Sequence, residues 1–129
     1  MRNFRPLVLG LVLVILSPLG WGEDVYYCVE EHRAALEAND SGGVYELKRY
    51  KPETFTFKYE ADSNRLAFKG RIFGGDELMY MQCEQCTPPT AYFDAVDNIG
   101  RFSMKDGRFF HSLASFRRAS MQTGTCTKF

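Results

Sequence analysis

Residues 54–70, "TFTFKYEADSNRLAFKG", contain the stretch that indicates the fold class. In TFTFKYE every second residue is a phenylalanine or tyrosine, and this period of two is typical of a half-buried strand. The turn-forming residues ADSN follow, and then Leu66 and Phe68 share one face of the next strand. The pattern therefore predicts a β-hairpin with a four-residue connection.

The same design recurs at residues 101–115, "RFSMKDGRFFHSLAS". Asp106-Gly107 marks the turn, because both residues tolerate the positive φ that a tight hairpin turn requires. Other segments rich in aromatic and β-branched residues predict further strands: DVYYCVE (24–30), VYELKRY (44–50), ELMYMQC (77–83), AYFDAV (91–96) and GTCTKF (124–129).

Residues 30–40, "EEHRAALEAND", are the exception, because their alanine, leucine and glutamate favour a helix locally. Either a short helix near 30–40 or a strand fits this segment. The chain is otherwise all-β, without the strand–helix alternation of a parallel sheet. We therefore predict a small antiparallel meander, either a barrel or a sandwich.

The first 22 residues have the plan of a secretory signal peptide. Two arginines precede the apolar run Leu7–Leu16, and glycines stand before an expected cut at Glu23. The apolar run is shorter than the roughly 20 residues that a membrane-spanning helix needs. An uncleaved N-terminal anchor is the alternative. Cleavage would leave residues 23–129 as a single domain with no membrane span, exported to the periplasm or secreted.

Removing residues 1–22 leaves 107 residues with a net charge of −2. A chain so close to neutral lacks the surplus of positive charge that non-specific nucleic-acid binding requires. We expect no nucleic-acid partner, and an unidentified protein of the cell envelope as the partner.

The four cysteines, Cys28, Cys83, Cys86 and Cys126, are an even number in an exported chain, which indicates structural disulfides. If a meander closes, its first and last strands become neighbours, which favours Cys28 with Cys126 and Cys83 with Cys86. Pairing of Cys83 and Cys86 with the two end cysteines is the rival. A redox role is disfavoured because the prolines after Cys86 interrupt the helix that lowers a catalytic thiol pKa.

Zinc binding is the other alternative for Cys83 and Cys86, whose spacing matches one zinc knuckle. A second closely spaced pair is missing, since Cys28 and Cys126 lie singly and far apart. The two histidines, His32 and His111, have no metal-binding motif around them. The sequence therefore predicts no metal site and no cofactor.

No catalytic motif is present in the sequence, and we predict no enzymatic activity. The carboxylates of Asp94 and Asp97 are better explained by a turn in "DNIG", and Glu30-Glu31-His32 by a solvated strand end. Two basic clusters, "LKRYK" at 47–51 and "FRR" at 116–118, combine aromatic and positive residues, and solvent-facing strands explain them best.

Three short motifs carry a resemblance: Tyr26-Tyr27-Cys28, the segment KPETF at 51–55, and CTKF at 126–129. Their layout resembles a class of small exported bacterial proteins with Tyr-x-Cys, Lys-Pro-Glu-x-Phe and Cys-x-Lys-Phe motifs. The resemblance covers most of the chain after residue 22, and it implies no activity. The sequence thus predicts a non-enzymatic exported domain that interacts with or assists another protein, with a thiol-redox or metal-binding role as the alternative.

Overall fold

The computed structural model describes residues 24–39, 44–70, 73 and 75–129. The signal peptide expected over residues 1–22 lies outside these ranges. Within them, nine strands follow one another, and a 3₁₀ turn at Pro88–Thr90 connects two of them. The strands are β1 (Val25–Ala38), β2 (Tyr45–Arg49), β3 (Thr54–Glu60), β4 (Arg65–Gly70), β5 (Gly75–Thr87), β6 (Tyr92–Val96), β7 (Gly100–Lys105), β8 (Arg108–Ala114) and β9 (Arg118–Lys128).

All of these strands are antiparallel, and their order in the sheet is β2-β1-β3-β4-β5-β6-β7-β8-β9. An additional pairing joins β1 to β9 and closes the sheet. Eight strands, all except β2, therefore form a closed barrel. The predicted all-β meander is confirmed, and of the two predicted architectures the chain adopts the barrel.

Residues 30–38, where a short helix was the alternative, belong to the 14-residue strand β1. This part of β1 pairs with β2 on one side and with β9 on the other, and Ala35 is only 3% exposed. Backbone hydrogen bonds on both edges outweigh the helical preference of the alanines, leucine and glutamates, which is worth only tenths of a kcal/mol per residue.

Both predicted hairpins are confirmed. Strands β3 and β4 pair with Glu60 opposite Arg65, and β7 and β8 pair with Lys105 opposite Arg108. The second hairpin turns through Asp106 and Gly107, whose φ angles are 53° and 75°. Two consecutive positive φ values define the type I′ turn, whose twist matches that of the flanking strands.

Aromatic rings fill the described interior of the barrel. Phe57, Phe68, Phe93 and Phe102 are at most 1% exposed. Their rings pack edge-to-face or tilted. The Phe57 ring contacts the other three, and Phe68 also contacts Phe102, with ring centroids 5.0 to 5.5 Å apart in these four pairs. Such packing contributes beyond the burial of apolar area alone. The alternating phenylalanines of β3 thus supply the centre of the core.

Strand β1 has different neighbours along its two halves. Residues 25–29 pair with β3, whereas residues 34–38 pair with β2, and β9 runs beside both halves. A β-bulge between Glu30 and His32 separates the two halves. We call the region formed by β2, residues 34–38 of β1 and residues 118–122 of β9 the sheet extension. It positions the surface described below.

Candidate interaction surface

The cysteines lie in two pairs at disulfide-bonding distance. Cys28 and Cys126 are directly opposite each other in β1 and β9, with their Cα atoms 4.1 Å apart and their sulfur atoms bonded. Cys83 and Cys86 are bonded within β5, with Cα atoms 5.8 Å apart. The structure therefore has the pairing that barrel closure favours, and all cysteines of the described chain are bonded.

The Cys83–Cys86 loop lies in a strand rather than at a helix start. A β-bulge between Cys83 and Gln85 accommodates it, and the two prolines that follow form the 3₁₀ turn after β5. At the loop, Glu84 is held by Arg101 on β7, with Oε2 and Nη2 2.6 Å apart. The helix N-terminus that stabilises a catalytic thiolate is replaced here by strand backbone and a carboxylate. The geometry gives no support to a redox or zinc role.

Asp94 and Asp97 each have a local structural partner. The Asp97 carboxylate accepts hydrogen bonds from the backbone N–H groups of Ile99 at 2.9 Å and Gly100 at 2.7 Å. Asp94 accepts a hydrogen bond from the Ser103 hydroxyl at 3.2 Å. The two carboxylates therefore stabilise a turn and a strand pair, respectively, as the turn interpretation expects.

The Glu30-Glu31-His32 segment is split by the bulge in β1. Glu30 is 3% exposed, whereas Glu31 and His32 are exposed. Burial raises the pKa of the Glu30 carboxyl, and the nearby positive charge of Arg33 opposes that rise. Glu30 Oε1 accepts the backbone N–H of Glu53 at 3.3 Å, while its Oε2 has no hydrogen-bond partner within the described chain.

His111 is also buried, in β8, at 5% exposure. Its Nδ1 lies 2.5 Å from the side-chain oxygen of Gln122 on β9, and its ring packs 5.1 Å from that of Phe73. Burial lowers the pKa of the imidazole, and the Gln122 contact partly offsets this. Across the residues that the structure describes, no three His, Cys, Asp or Glu side chains are grouped to hold a metal ion.

The inner face of the sheet extension is a charged network centred on Glu37. The Tyr50 hydroxyl donates to Glu37 Oε1, Lys48 Nζ lies 3.1 Å from Oε2, and Arg118 Nε lies 3.3 Å from Oε1. The hydrogen bonds from Tyr50 and Lys48 lower the pKa of Glu37 and raise the pKa of both donors. Arg118 also stacks 5.4 Å from the Tyr50 ring centroid.

The two basic clusters of the sequence meet in this network. Residues 47–51 lie on and after β2, and residues 116–118 form the turn into β9, so both flank the second half of β1. The Tyr45 hydroxyl bridges the two sides by donating to the Phe116 carbonyl at 2.8 Å. Glu37 offsets part of the positive charge of Lys48 and Arg118. One cation of each cluster therefore belongs to the extension's own structure, whereas Arg49, Lys51 and Arg117 are exposed, and β2 is solvent-facing as expected.

The outer face of the sheet extension is apolar and exposed. Leu36 is 45% exposed, and it pairs with Leu47 of β2, which is 63% exposed. Tyr45 and Met121 are 54% and 56% exposed on the same face, with alanines between them. We call Leu36, Tyr45, Leu47 and Met121 the apolar face. Contiguous exposed apolar side chains of this kind are typical of protein-binding surfaces.

The apolar face is not predictable from local sequence alone. Leu36 lay in the segment split between helix and strand, and Met121 lay between predicted strands. Leu36 and Met121 come together only through the register of β1 with β2 and β9. A partial signal exists in the alternation of Tyr45 and Leu47 with Glu46 and Lys48, which predicts that the two aromatic or apolar side chains of β2 share one face.

Across the described residues, no helix is long and apolar enough to cross a membrane. No protein-family model matches the chain, no curated protein matches its sequence, and no solved structure matches its fold.

Proposed function

We propose that this chain is an exported, non-enzymatic barrel that binds a protein of the cell envelope through its apolar face. The main observation in support is that four large apolar side chains are exposed together on the sheet extension. They lie outside a barrel whose described interior is filled by aromatic rings. Burying each of these side chains against a partner contributes about 1 kcal/mol or more, since apolar burial is worth roughly 25 cal/mol per Å².

The charge at the margin of the apolar face suggests the chemistry of the partner. Arg49 shares the outer face with Leu47 and is exposed, and no salt bridge holds it to another described residue. Lys51 and Arg117 are exposed nearby. We therefore propose a partner surface with an apolar strip and an acidic rim, which would pair with these cations.

Export is part of the same proposal. Two disulfides are compatible with an oxidising compartment and with the predicted signal peptide over residues 1–22. The resemblance to small exported bacterial proteins supports the same location. Intact mass measurement of the protein recovered from the host tests the predicted cut before Glu23, and thiol titration without reduction is expected to find no free thiols.

Site-specific photo-crosslinking in the exporting host tests the binding surface. A photo-reactive residue in place of Leu47 should give adducts with a protein other than this chain, and Leu36→Ser should weaken them strongly. The matched control places the same residue at Lys105, on the exposed tip of the β7–β8 hairpin. Equal adducts from both positions, or adducts from neither, would contradict the proposal.

A further inference from the structure

We infer that two copies of this chain pair through their β2 strands, which join two sheet extensions into one continuous sheet. This inference goes beyond the proposed function, because it adds the free backbone edge of β2 and a second copy of the chain, with Tyr45 and Leu47 of the apolar face contributing side chains. Strand β2 hydrogen-bonds to no described strand except β1, and all five of its residues are exposed. Among the described residues nothing pairs with its second edge, which can therefore accept another strand.

The backbone register identifies which groups point to this open edge. Asn39 N donates to Val44 O at 2.8 Å, and Tyr50 N donates to Arg33 O at 3.0 Å. Hydrogen-bonded pairs alternate along an antiparallel ladder, so the even-numbered residues of β2 face β1. The N–H and C=O groups of Tyr45, Leu47 and Arg49 consequently point away from β1.

The sequence of β2, Tyr-Glu-Leu-Lys-Arg, is complementary to itself in an antiparallel pair centred on Leu47. In that register Leu47 faces Leu47 of the second copy, Glu46 faces Lys48, and Tyr45 faces Arg49. A two-fold axis through Leu47 keeps facing side chains on the same side of the sheet. On the outer face Leu47 then meets Leu47 and the Tyr45 ring meets the Arg49 side chain, and on the inner face opposite charges meet.

The hydrogen-bonding pattern fits the same register. The backbone groups of Tyr45, Leu47 and Arg49 point toward the second copy. The three facing pairs, Tyr45–Arg49, Leu47–Leu47 and Arg49–Tyr45, therefore make two hydrogen bonds each. Glu46 and Lys48 then form the intervening pairs without hydrogen bonds, where facing side chains are closest. Because the strands run antiparallel, the two barrels lie at opposite ends of the shared pair.

Glu46 adds a further reason for pairing. It lies directly opposite Glu37 in the β1–β2 register, and facing like charges are unfavourable. Glu46 forms no salt bridge to any described residue, whereas Glu37 already has Lys48 and Arg118. Lys48 of a second copy would stand on the other side of Glu46 and neutralise it. Pairing would thus give Glu46 a facing cation that its own β1 partner does not provide.

Sedimentation velocity over a concentration series, with the protein from residue 23 onward, tests the inference. We expect reversible dimers of the wild type. Glu46→Lys places lysine opposite Lys48 and should raise the dimer Kd about tenfold, as should Lys48→Glu, which places glutamate opposite Glu46. Lys105→Glu, a charge reversal on the distant hairpin tip, should leave the Kd unchanged. A wild type that stays monomeric throughout would overturn the inference.

Mixing the two variants provides a test that misfolding cannot imitate. Lysines at 46 and 48 in one variant would face glutamates at 48 and 46 in the other, so the mixture should recover dimers that neither variant forms as well alone. Failure of the mixture to associate more tightly than its components would refute the register.

Hydrogen exchange gives an independent readout at single residues. The amides of Tyr45, Leu47 and Arg49 should become protected as the protein concentration rises, while those of Glu46 and Lys48 are protected by β1 at every concentration. Unprotected odd-numbered amides at the highest concentration would also overturn the inference. Because none of these measurements involves another protein, their outcome is separate from that of the crosslinking experiment above.

Discussion

Removing the Cys28–Cys126 disulfide should destabilise the barrel far more than removing Cys83–Cys86. The first disulfide links residues separated by 98 positions, and the second links residues separated by 3. In the chain-entropy relation, a loop of about 100 residues corresponds to about 4.7 kcal/mol of stabilisation. The same relation gives about 2 kcal/mol for the short loop.

Two double variants, each with its cysteine pair replaced by alanine, allow the comparison. Alanine avoids placing a hydroxyl beside the core, where Cys28 is completely buried. Urea unfolding followed by far-ultraviolet circular dichroism measures both variants, because the chain after residue 22 has no tryptophan. We expect the Cys28/Cys126 variant to lose about 2.7 kcal/mol more than the Cys83/Cys86 variant. Since small domains have a stability of roughly 5–15 kcal/mol in total, the full loss of about 4.7 kcal/mol in the Cys28/Cys126 variant would be a large fraction of the stability of the barrel.

Equal losses in the two variants, or a larger loss from the short loop, would refute the reasoning. Either result would mean that the unfolded chain keeps residues near β1 and β9 together without the Cys28–Cys126 bond. It could equally mean that the Cys83–Cys86 bond acts on the native state rather than on the unfolded chain. The slopes of the urea transitions provide a second check. Removal of the Cys28–Cys126 bond should steepen the slope, because the denatured state becomes less compact, whereas removal of the Cys83–Cys86 bond should leave it nearly unchanged.

Three further predictions concern single residues. Gly124→Ala should cost about 3 kcal/mol or more in urea unfolding, because a Cβ there would lie 2.0 Å from the Val29 carbonyl oxygen. Gly107→Ala should cost less, because a Cβ there would lie at an ordinary 3.5 Å from the Cys126 carbonyl oxygen and only the positive φ of 75° would be strained. Burial holds the pKa of the His111 imidazole below its ordinary 6.5, so the unfolded state binds the proton first as the pH drops. The free energy of unfolding should therefore fall as the pH drops below 6.5. His111→Gln should reduce that fall, which urea midpoints at several pH values would measure. Asp97→Ala should lose about 1–2 kcal/mol by removing two backbone hydrogen bonds, and Asp97→Asn, which retains the accepting oxygen, should recover most of it.

The fold could be predicted from the sequence wherever local pattern and tertiary structure agree. The alternation in TFTFKYE and the Asp106-Gly107 turn specify hairpins without help from distant residues. Residues 30–38 could not be assigned, because their helical preference is overridden by β2 and β9, which pair with them from both sides. Likewise, the choice of barrel over sandwich depends on the contact between β1 and β9, which no local pattern encodes.

The candidate surface was less predictable than the fold. The sequence singled out residues 47–51 and 116–118 as basic clusters, but not that Glu37 lies between them or that Tyr45 bridges to Phe116. Those relations depend on the register of three strands, and a shift of one residue would turn Leu36 and Leu47 to the opposite face. The burial of Glu30 beside a bulge could not be predicted from the sequence either, since its neighbours in sequence are exposed.

The pairing of β1 with β9 also brings the two ends of the described chain together. Phe129 N donates to Val25 O at 2.9 Å, and Lys128 Nζ lies 3.1 Å from the Asp24 carboxylate. A short peptide linker could therefore join these ends, and new termini could be opened in the β3–β4 turn, giving a circularly permuted barrel with the same strand neighbours. The linker that joins the two ends would lie at the start of β1, about 40 Å from the end of that strand in the sheet extension. A surface tether attached to this linker would therefore leave the sheet extension accessible.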